Sequence, residues 1–350
     1  MGFIKTPIKG MNDFLPSDMR LREHVINMIK ETYATYGFSL IETPVMEHLG
    51  NLTGKQGGEN EKLIFPVMKR GADLQRAIEN GGELADSALR YDLTVPLSRY
   101  YANNQAVLTT PFKSLQIGNV FRADRPQKGR FRQFTQCDID ILGDSSILAE
   151  IELIAATTSM LTKIFEEVGI SRFTVHVNDR RILKGMAKSA GFDEESFDTV
   201  FIILDKMDKI GIDGVKEELV KSGFAADAVE KYTQMFTKIT EGISCGDFCS
   251  LIGADAIDSS VVDSLDGILS CVKPMISSDV SLVFDPTLVR GMSYYTGTIF
   301  EITIDGYNFS IAGGGRYDEM IGKFCGQKVC ACGFSIGFER IITILKDKLG

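Results

Sequence analysis

An α+β fold is predicted for this 350-residue chain, with an antiparallel sheet flanked by helices and a helical insertion, and three observations predict it. Apolar runs near both ends are joined by hairpin signals, the strongest being Asp305-Gly306 between two strand-like runs. Strand patterns lapse between about 180 and 276, where Lys, Asp and Glu punctuate short helical repeats such as ILDKMDKIGIDGVKEELVKSG (203–223). Neither a phosphate-binding P-loop nor a G-x-G-x-x-G turn is present, and successive hairpins favour antiparallel pairing over a parallel nucleotide-binding sheet. The chain accordingly divides into a core over 1–178, a helical insertion over 179–276, and the core continued over 277–350.

In chain order, 16–38 reads as a helix, with Ser17 at the N-cap, Val25, Ile26, Ile29 and Tyr33 at helical spacing, and Gly37 as the stop. A strand is expected over 38–44, halted by Pro44, which has no N–H for a ladder. A second long helix spans 145–168 and closes at Gly169. The stretch RFTVHVND (172–179) alternates apolar and polar residues as a half-buried strand does, and its His176 is a structural residue on the polar side. Strands return at 281–286 and over 298–315. The glycine run in AGGGRYD (312–318) has no Lys-Ser/Thr after it and by itself reads as a turn.

The bulk numbers narrow the class. Hydrophobic residues make up 44% and charged residues 24%, an ordinary globular balance, and no apolar run reaches the ~18 residues that span a bilayer. The N-terminus shows no signal-peptide pattern, and the opening Met1-Gly2 reads as a chance match to an acylation pattern because bulky Phe3 follows. Seven cysteines without a C-x-x-C pair predict reduced thiols in a cytoplasmic protein, with neither a disulfide framework nor a zinc site. Three isolated histidines give no support to a Ser/His/Asp or Cys/His catalytic set. The net charge of −9 argues against an extended nucleic-acid coat, though it leaves room for a local basic site.

Such a site stands at FRADRPQKGRFRQFTQCDIDILG (121–143). Five Arg and Lys residues fall between 122 and 132, followed by the carboxylates Asp138 and Asp140. Three other segments also combine strong polar groups with rigid flanks: RYDLTVPLSRYYA (90–102), VRGMSYYTGTIFE (289–301) and GFSIGFER (333–340). Singly, each has a bland reading as a solvated hairpin or a helix start. Together and in this order they resemble the histidyl-tRNA synthetases, which are class II aminoacyl-tRNA ligases. The resemblance runs from KGMNDFLP (9–16) to the last of these segments and includes HVNDRRILKGM (176–186).

The resemblance implies an ATP-dependent ligase that joins L-histidine to ATP, with Mg2+, and then passes the histidyl group to tRNA(His). Catalysis of this kind rests on cations at the phosphates and on alignment. It further implies that Arg122 grips the α-phosphate and the histidine carboxylate with its planar fork. Asp124, in place of a more usual Glu, contacts the adenine or a neighbouring donor. Arg130 reaches the terminal phosphates, Phe131 or Phe134 walls the adenine, and Arg340 meets the γ-phosphate. Asp92, Thr94 and Gln136 contact the ammonium and carboxylate of histidine. Asp140, where many bacterial members carry Glu, and Tyr295 hydrogen-bond the imidazole, with Tyr294 beside them. Arg290 faces the α-phosphate from the side opposite Arg122, and no protein-held metal is implied. Ser293 departs from the Asp of many relatives, which bears on the support of Tyr294 and Tyr295. A homodimer through the helix and strand of 17–44 is implied, without any membrane partner. Typical members continue for roughly a further hundred residues as an anticodon-binding domain, so a catalytic fragment or a standalone relative is expected. The alternative is a non-catalytic, histidine-sensing regulatory subunit of ATP phosphoribosyltransferase, for which four arginines at the phosphate positions would have no use.

Overall fold

A computed structural model describes residues 3–53, 62–126, 131–239, 242–253, 256–290 and 294–349. Arg130 and Ser293 lie outside the described residues. Helix α1 (Pro16–Thr35) begins with Pro at its first turn, where the missing N–H leaves no bond unmade. Its cap differs from the expected Ser17: the cap position is Leu15, whose N–H donates to Asp18 Oδ2 at 3.4 Å. Val25, Ile29 and Tyr33 recur every fourth residue, and all three are buried. Gly37 ends the helix at φ +78°.

Strand β1 (Ser39–Ile41) is shorter than the expected 38–44 run. A small antiparallel sheet follows, built from β2 (Met46–His48), β3 (Phe65–Met68) and β4 (Ala85–Leu89) in the order β2-β4-β3. Helices α2 (Leu49–Thr53) and α3 (Gly71–Glu79) lie between these strands in sequence, and α4 (Thr94–Asn104) comes after them. The main sheet then forms from β5 (Phe112–Phe121), β6 (Gln133–Leu142), β7 (Phe173–Asp179), β8 (Val280–Phe284), β9 (Thr298–Thr303), β10 (Ser310–Arg316) and β11 (Ala331–Ile336). With β1 it is eight-stranded, in the order β1-β5-β6-β11-β10-β9-β7-β8.

The expectation of an antiparallel sheet needs correction at both edges, where β1–β5 and β7–β8 are parallel. Both pairs are joined by long crossovers, which parallel neighbours require, while the six central strands are antiparallel throughout. The Asp305-Gly306 hairpin is present as a six-residue connection from β9 to β10, with Gly306 at φ +85°. The glycine run is not a turn: Gly313, Gly314 and Gly315 are mid-strand in β10, paired on both sides.

One face of the sheet is apolar. Cys137, Ile139 and Ile141 of β6 point into a core shared with α1 and α5 (Leu148–Glu166), and α5 stops ahead of Gly169 at φ +70°. Between β7 and β8 run α6 (Arg180–Ala190), α7 (Phe197–Leu204), α8 (Met207–Lys221), α9 (Ala226–Thr237), α10 (Cys245–Ile252) and α11 (Ser259–Val272). Asp179 caps α6 by accepting the Arg181 N–H at 2.8 Å. The chain returns through α12 (Asp318–Cys325) and α13 (Phe338–Leu349). All seven cysteines are free, and no described helix is long and apolar enough to cross a membrane.

Candidate active site

The other face of the sheet carries the chemistry, and period-two alternation puts it there. Gln136, Asp138 and Asp140 alternate along β6 with the core residues. Ser114, Gln116 and Gly118 of β5 stand opposite Asp140, Asp138 and Gln136, while Gly333 and Ser335 of β11 pair with Asp140 and Asp138 from the other side. Gly315 and Gly313 of β10 continue the same rows, and Glu301 of β9 stands opposite Gly313. Four glycines therefore share this face, and at each the space a Cβ would need is already taken. A Cβ on Gly118 would enter the Arg90 guanidinium, one on Gly313 the Arg290 guanidinium, one on Gly315 the Thr298 carbonyl with the Tyr295 ring 3.0 Å away, and one on Gly333 the Asp140 carboxyl. The floor is bare backbone because its walls lean in over it.

The acidic end is buried and tightly bonded. Asp138 accepts from Gln136 Nε2 at 3.0 Å, and Ser335 also donates to it; burial pushes its carboxyl up to about 7. Asp140 Oδ1 accepts the Tyr317 hydroxyl at 2.5 Å, while its Oδ2 is buried without a partner among the described residues. Burial, reinforced by Asp138, holds the Asp140 carboxyl well above the usual range. Asp92 accepts the Val95 N–H at 3.1 Å at the start of α4, where Thr94 is the first helical residue, and burial raises its carboxyl too. Tyr294 and Tyr295 pack with ring centroids 4.8 Å apart, and Tyr294 lies 6.0 Å from Tyr317. Burial raises both phenols, so they stay protonated donors.

The basic groups flank this strip. Arg122 donates from Nε to the Tyr91 carbonyl at 3.1 Å and reaches Gln136 Oε1 at 3.5 Å, and it lies over the Tyr91 and Phe134 rings. Stacking on two rings fixes the plane of its fork. Arg290 lies over Gly313 and pairs with Glu301, so it approaches from the β10 side while Arg122 approaches from the β5 side. Arg340 donates to the Ser310 carbonyl at 2.5 Å and to its hydroxyl at 3.2 Å, with Phe309 beneath it. The neighbouring Glu339 accepts the Thr135 N–H at 3.2 Å, which fixes the start of α13 beside the Phe134 end of β6. Asp124 sits on the loop after β5, with its carbonyl accepting Arg132 Nε at 3.0 Å.

The structure thus gathers Asp92, Gln136, Asp140, Tyr294 and Tyr295 at one end of the strip, with Arg122 and Arg290 to either side. Arg340 stands at the strand end where Phe134 lies. The sequence reading gave no role to Asp138, Ser335, Tyr317 or Glu301. Alternation from Gln136 through Asp140 was enough to put Asp138 on the same face. Nothing local marks Tyr317, which reaches Asp140 only through the β10–β11 pairing.

The fold is shared with a solved relative. The histidyl-tRNA synthetase of Nostoc sp. PCC 7120 superposes with a TM-score of 0.78 at 31% identity, covering 99% of this chain and 76% of that one. The fold is therefore that of an aminoacyl-tRNA synthetase catalytic core. A family model described as histidyl-tRNA synthetase matches residues 10–341. A histidine--tRNA ligase of Leifsonia xyli is 45% identical over 97% of this chain and 80% of its own length, and one of Bacteroides fragilis is 38% identical over 97% and 76%. The chain belongs to the histidyl-tRNA synthetase family. A Bacillus halodurans structure titled ATP phosphoribosyltransferase regulatory subunit/histidyl-tRNA synthetase shares the fold at a TM-score of 0.77 but only 21% identity.

Proposed function

We propose that this pocket joins L-histidine to ATP and then passes the histidyl group to the terminal adenosine of tRNA(His). One carboxylate oxygen of histidine attacks the α-phosphorus, the bond to the β-phosphate oxygen breaks, and pyrophosphate leaves. The observation that carries this reading is the carboxylate strip of β6 lying between Arg122 and Arg290. The acidic end suits an ammonium and an imidazole, and the two guanidiniums suit an α-phosphate held between them. Arg122 is preorganised by its stacking and Arg290 by Glu301, so neither needs to reorganise as charge grows. Arg340, with Arg130 from outside the described residues, takes the β- and γ-phosphates, and Phe134 and Asp124 take the adenine. Mg2+ would accompany the ATP phosphates. Asp140 and Tyr295 read the imidazole, while Asp92, Thr94 and Gln136 hold the amino-acid head.

Residues 1–178 and 277–350 act in this reading as one catalytic core, with 179–276 as an appended helical unit. The protein works in the cytoplasm as a homodimer through the 17–44 region, where Leu40 is exposed. Sedimentation at micromolar concentration is expected to give twice the chain mass. A histidine-sensing regulatory subunit would need the acidic end alone, and the placement of Arg290 and Arg340 supports the ligase instead. The direct test is histidine-dependent exchange of labelled pyrophosphate into ATP. A purified protein that binds histidine but gives no exchange would overturn the ligase reading.

A further inference from the structure

We propose that Arg180 is a positioning residue for Arg290. It ties the main chain of that residue to α7, so the helical run between β7 and β8 helps to set the α-phosphate site. The proposal rests on the ligase reading and adds to it a source for the placement of Arg290.

The first observation is how the segment carrying Arg290, Tyr294 and Tyr295 is anchored. It connects β8 to β9, and both of its ends are bonded to the corner where β7 turns into α6. Asn178, fully buried, donates from Nδ2 to the Leu288 carbonyl at 3.0 Å. The main-chain N–H of Arg180 donates to the Gly297 carbonyl at 2.9 Å. Between these two, Asp179 stands opposite Thr298 in the β7–β9 ladder. The Arg180 guanidinium then donates from Nη1 to the carbonyl of Arg290 itself, at 3.4 Å. Glu301 holds the far end of the Arg290 side chain, whereas these bonds fix where its main chain stands. The distinction matters because a displacement of about 1 Å, even one that starts away from the chemistry, can cost about 10² in rate.

The second observation is what holds Arg180. The residue is 4% exposed, its Nη2 donates to Asp198 Oδ1 at 3.1 Å, and its guanidinium lies 4.5 Å from the centre of the Phe201 ring. Asp198 and Phe201 both belong to α7. Phe201 is itself buried and packs against Phe197, one turn earlier, with ring centroids 5.9 Å apart. One planar group therefore has its two ends on different elements, Nη1 on the Arg290 segment and Nη2 on α7. A guanidinium can span them because its N–H groups diverge in a fixed plane, while an ammonium is a single point. Mere filling does not ask for an arginine here, since desolvation opposes the pairing of a buried charge. An arginine that only joined the two elements would change stability without acting selectively on rate.

The experiment is pyrophosphate exchange by the full chain carrying Arg180→Lys, Arg290→Ala or both, with the unfolding midpoint of each. Lysine keeps the charge and the aliphatic stem but cannot span from Arg290 to Asp198. Its kcat should fall at least about tenfold, the step that one hydrogen bond to a charged group is worth, with the KM for histidine unchanged. In Arg290→Ala the same substitution should cost no further rate, because two residues acting through one group are not additive. Any change in unfolding midpoint should be equal in both backgrounds, since the carbonyl at 290 remains. A multiplied loss of rate in the double variant would overturn the proposal, as would wild-type kcat in Arg180→Lys. If Arg180→Lys does not fold, Asp198→Asn takes its place, because that side chain is 67% exposed and its loss leaves the core intact. Weakening this outer anchor should lower kcat about two- to fivefold, the range of a partly exposed ion pair, and should have no effect in Arg290→Ala. An equal loss in both backgrounds would overturn the proposal. Wild-type protein that gives no exchange would overturn the ligase reading itself, and this proposal with it.

Discussion

Arg290 and Gly313 are a single device at the scale of residues. The guanidinium occupies the space a Cβ would need, and Glu301 holds it there. Losing one preorganised donor to developing charge costs ~3–4 kcal/mol, or about 10²–10³ in rate. Arg290→Ala should slow pyrophosphate exchange by that factor with little change in histidine affinity, and Arg290→Lys should recover only part of it, since an ammonium lacks the fork. Gly313→Ala should produce the same kinetic signature without touching the arginine, because the methyl displaces it. If Gly313→Ala exchanges pyrophosphate at the wild-type rate, the arginine does not act from the position seen here. Most of these side chains were legible in the sequence, because Arg122, Asp140, Tyr295 and Arg290 sit inside recognisable segments. Asp138 was overlooked as a working residue although its alternation with Gln136 and Asp140 was visible. Tyr317 was illegible, since its contact with Asp140 spans 177 residues of sequence.

At the scale of elements, the instructive misreading is β10. Three successive glycines signal a turn when only local preference is weighed. They form a strand because Arg290 and the Gly333 and Thr298 backbones approach too closely for any Cβ, a demand set by tertiary packing. The expected Ser17 cap failed for a different reason, since Pro16 already supplies the helical φ at the first turn. What joins the elements is equally non-local. Arg22 of α1 grips Glu339 of α13 through two bonds of 2.6 and 2.8 Å and donates to Thr135 of β6 at 3.0 Å. Breaking a buried pair of this kind leaves an uncompensated charge and costs about 3–5 kcal/mol. Glu339→Ala should lower the unfolding free energy by roughly that much in urea titration, and Arg22→Met in the same background should restore part of it. A double variant no more stable than the single one would place the loss elsewhere.

Over the whole molecule, the general architecture was legible and its edges were not. Hairpin signals and the helical stretch gave the layered α+β arrangement, but the parallel edge pairs depend on crossovers whose landing points no local pattern records. The buried acids also give the empty protein a pH dependence. Asp138 is held near 7 by burial, against about 3.9 in an unfolded chain. Between those values the folded state keeps a proton that the unfolded state has lost. The stabilisation is therefore complete below about pH 4 and is lost as the pH rises toward 7, at up to about 1.4 kcal/mol per unit. The difference in unfolding free energy between Asp138→Asn and wild type, followed by denaturant titration from acid to neutral pH, should grow in favour of the variant. A constant difference would mean that the carboxyl titrates normally.

The bare floor of the pocket has a consequence for inhibition. A compound that pressed against Gly118, Gly313, Gly315 and Gly333 would meet main chain, and a Cβ at any of them would collide with a group already in place: Arg90, Arg290, the Thr298 carbonyl or Asp140. Replacement of Gly313 or Gly333 would push out Arg290 or Asp140, groups the proposed reaction uses. Escape from such a compound would have to arise at the rim, among residues such as Phe134 or Asp124, and so the deep end of the cleft is where a durable inhibitor should spend its contacts.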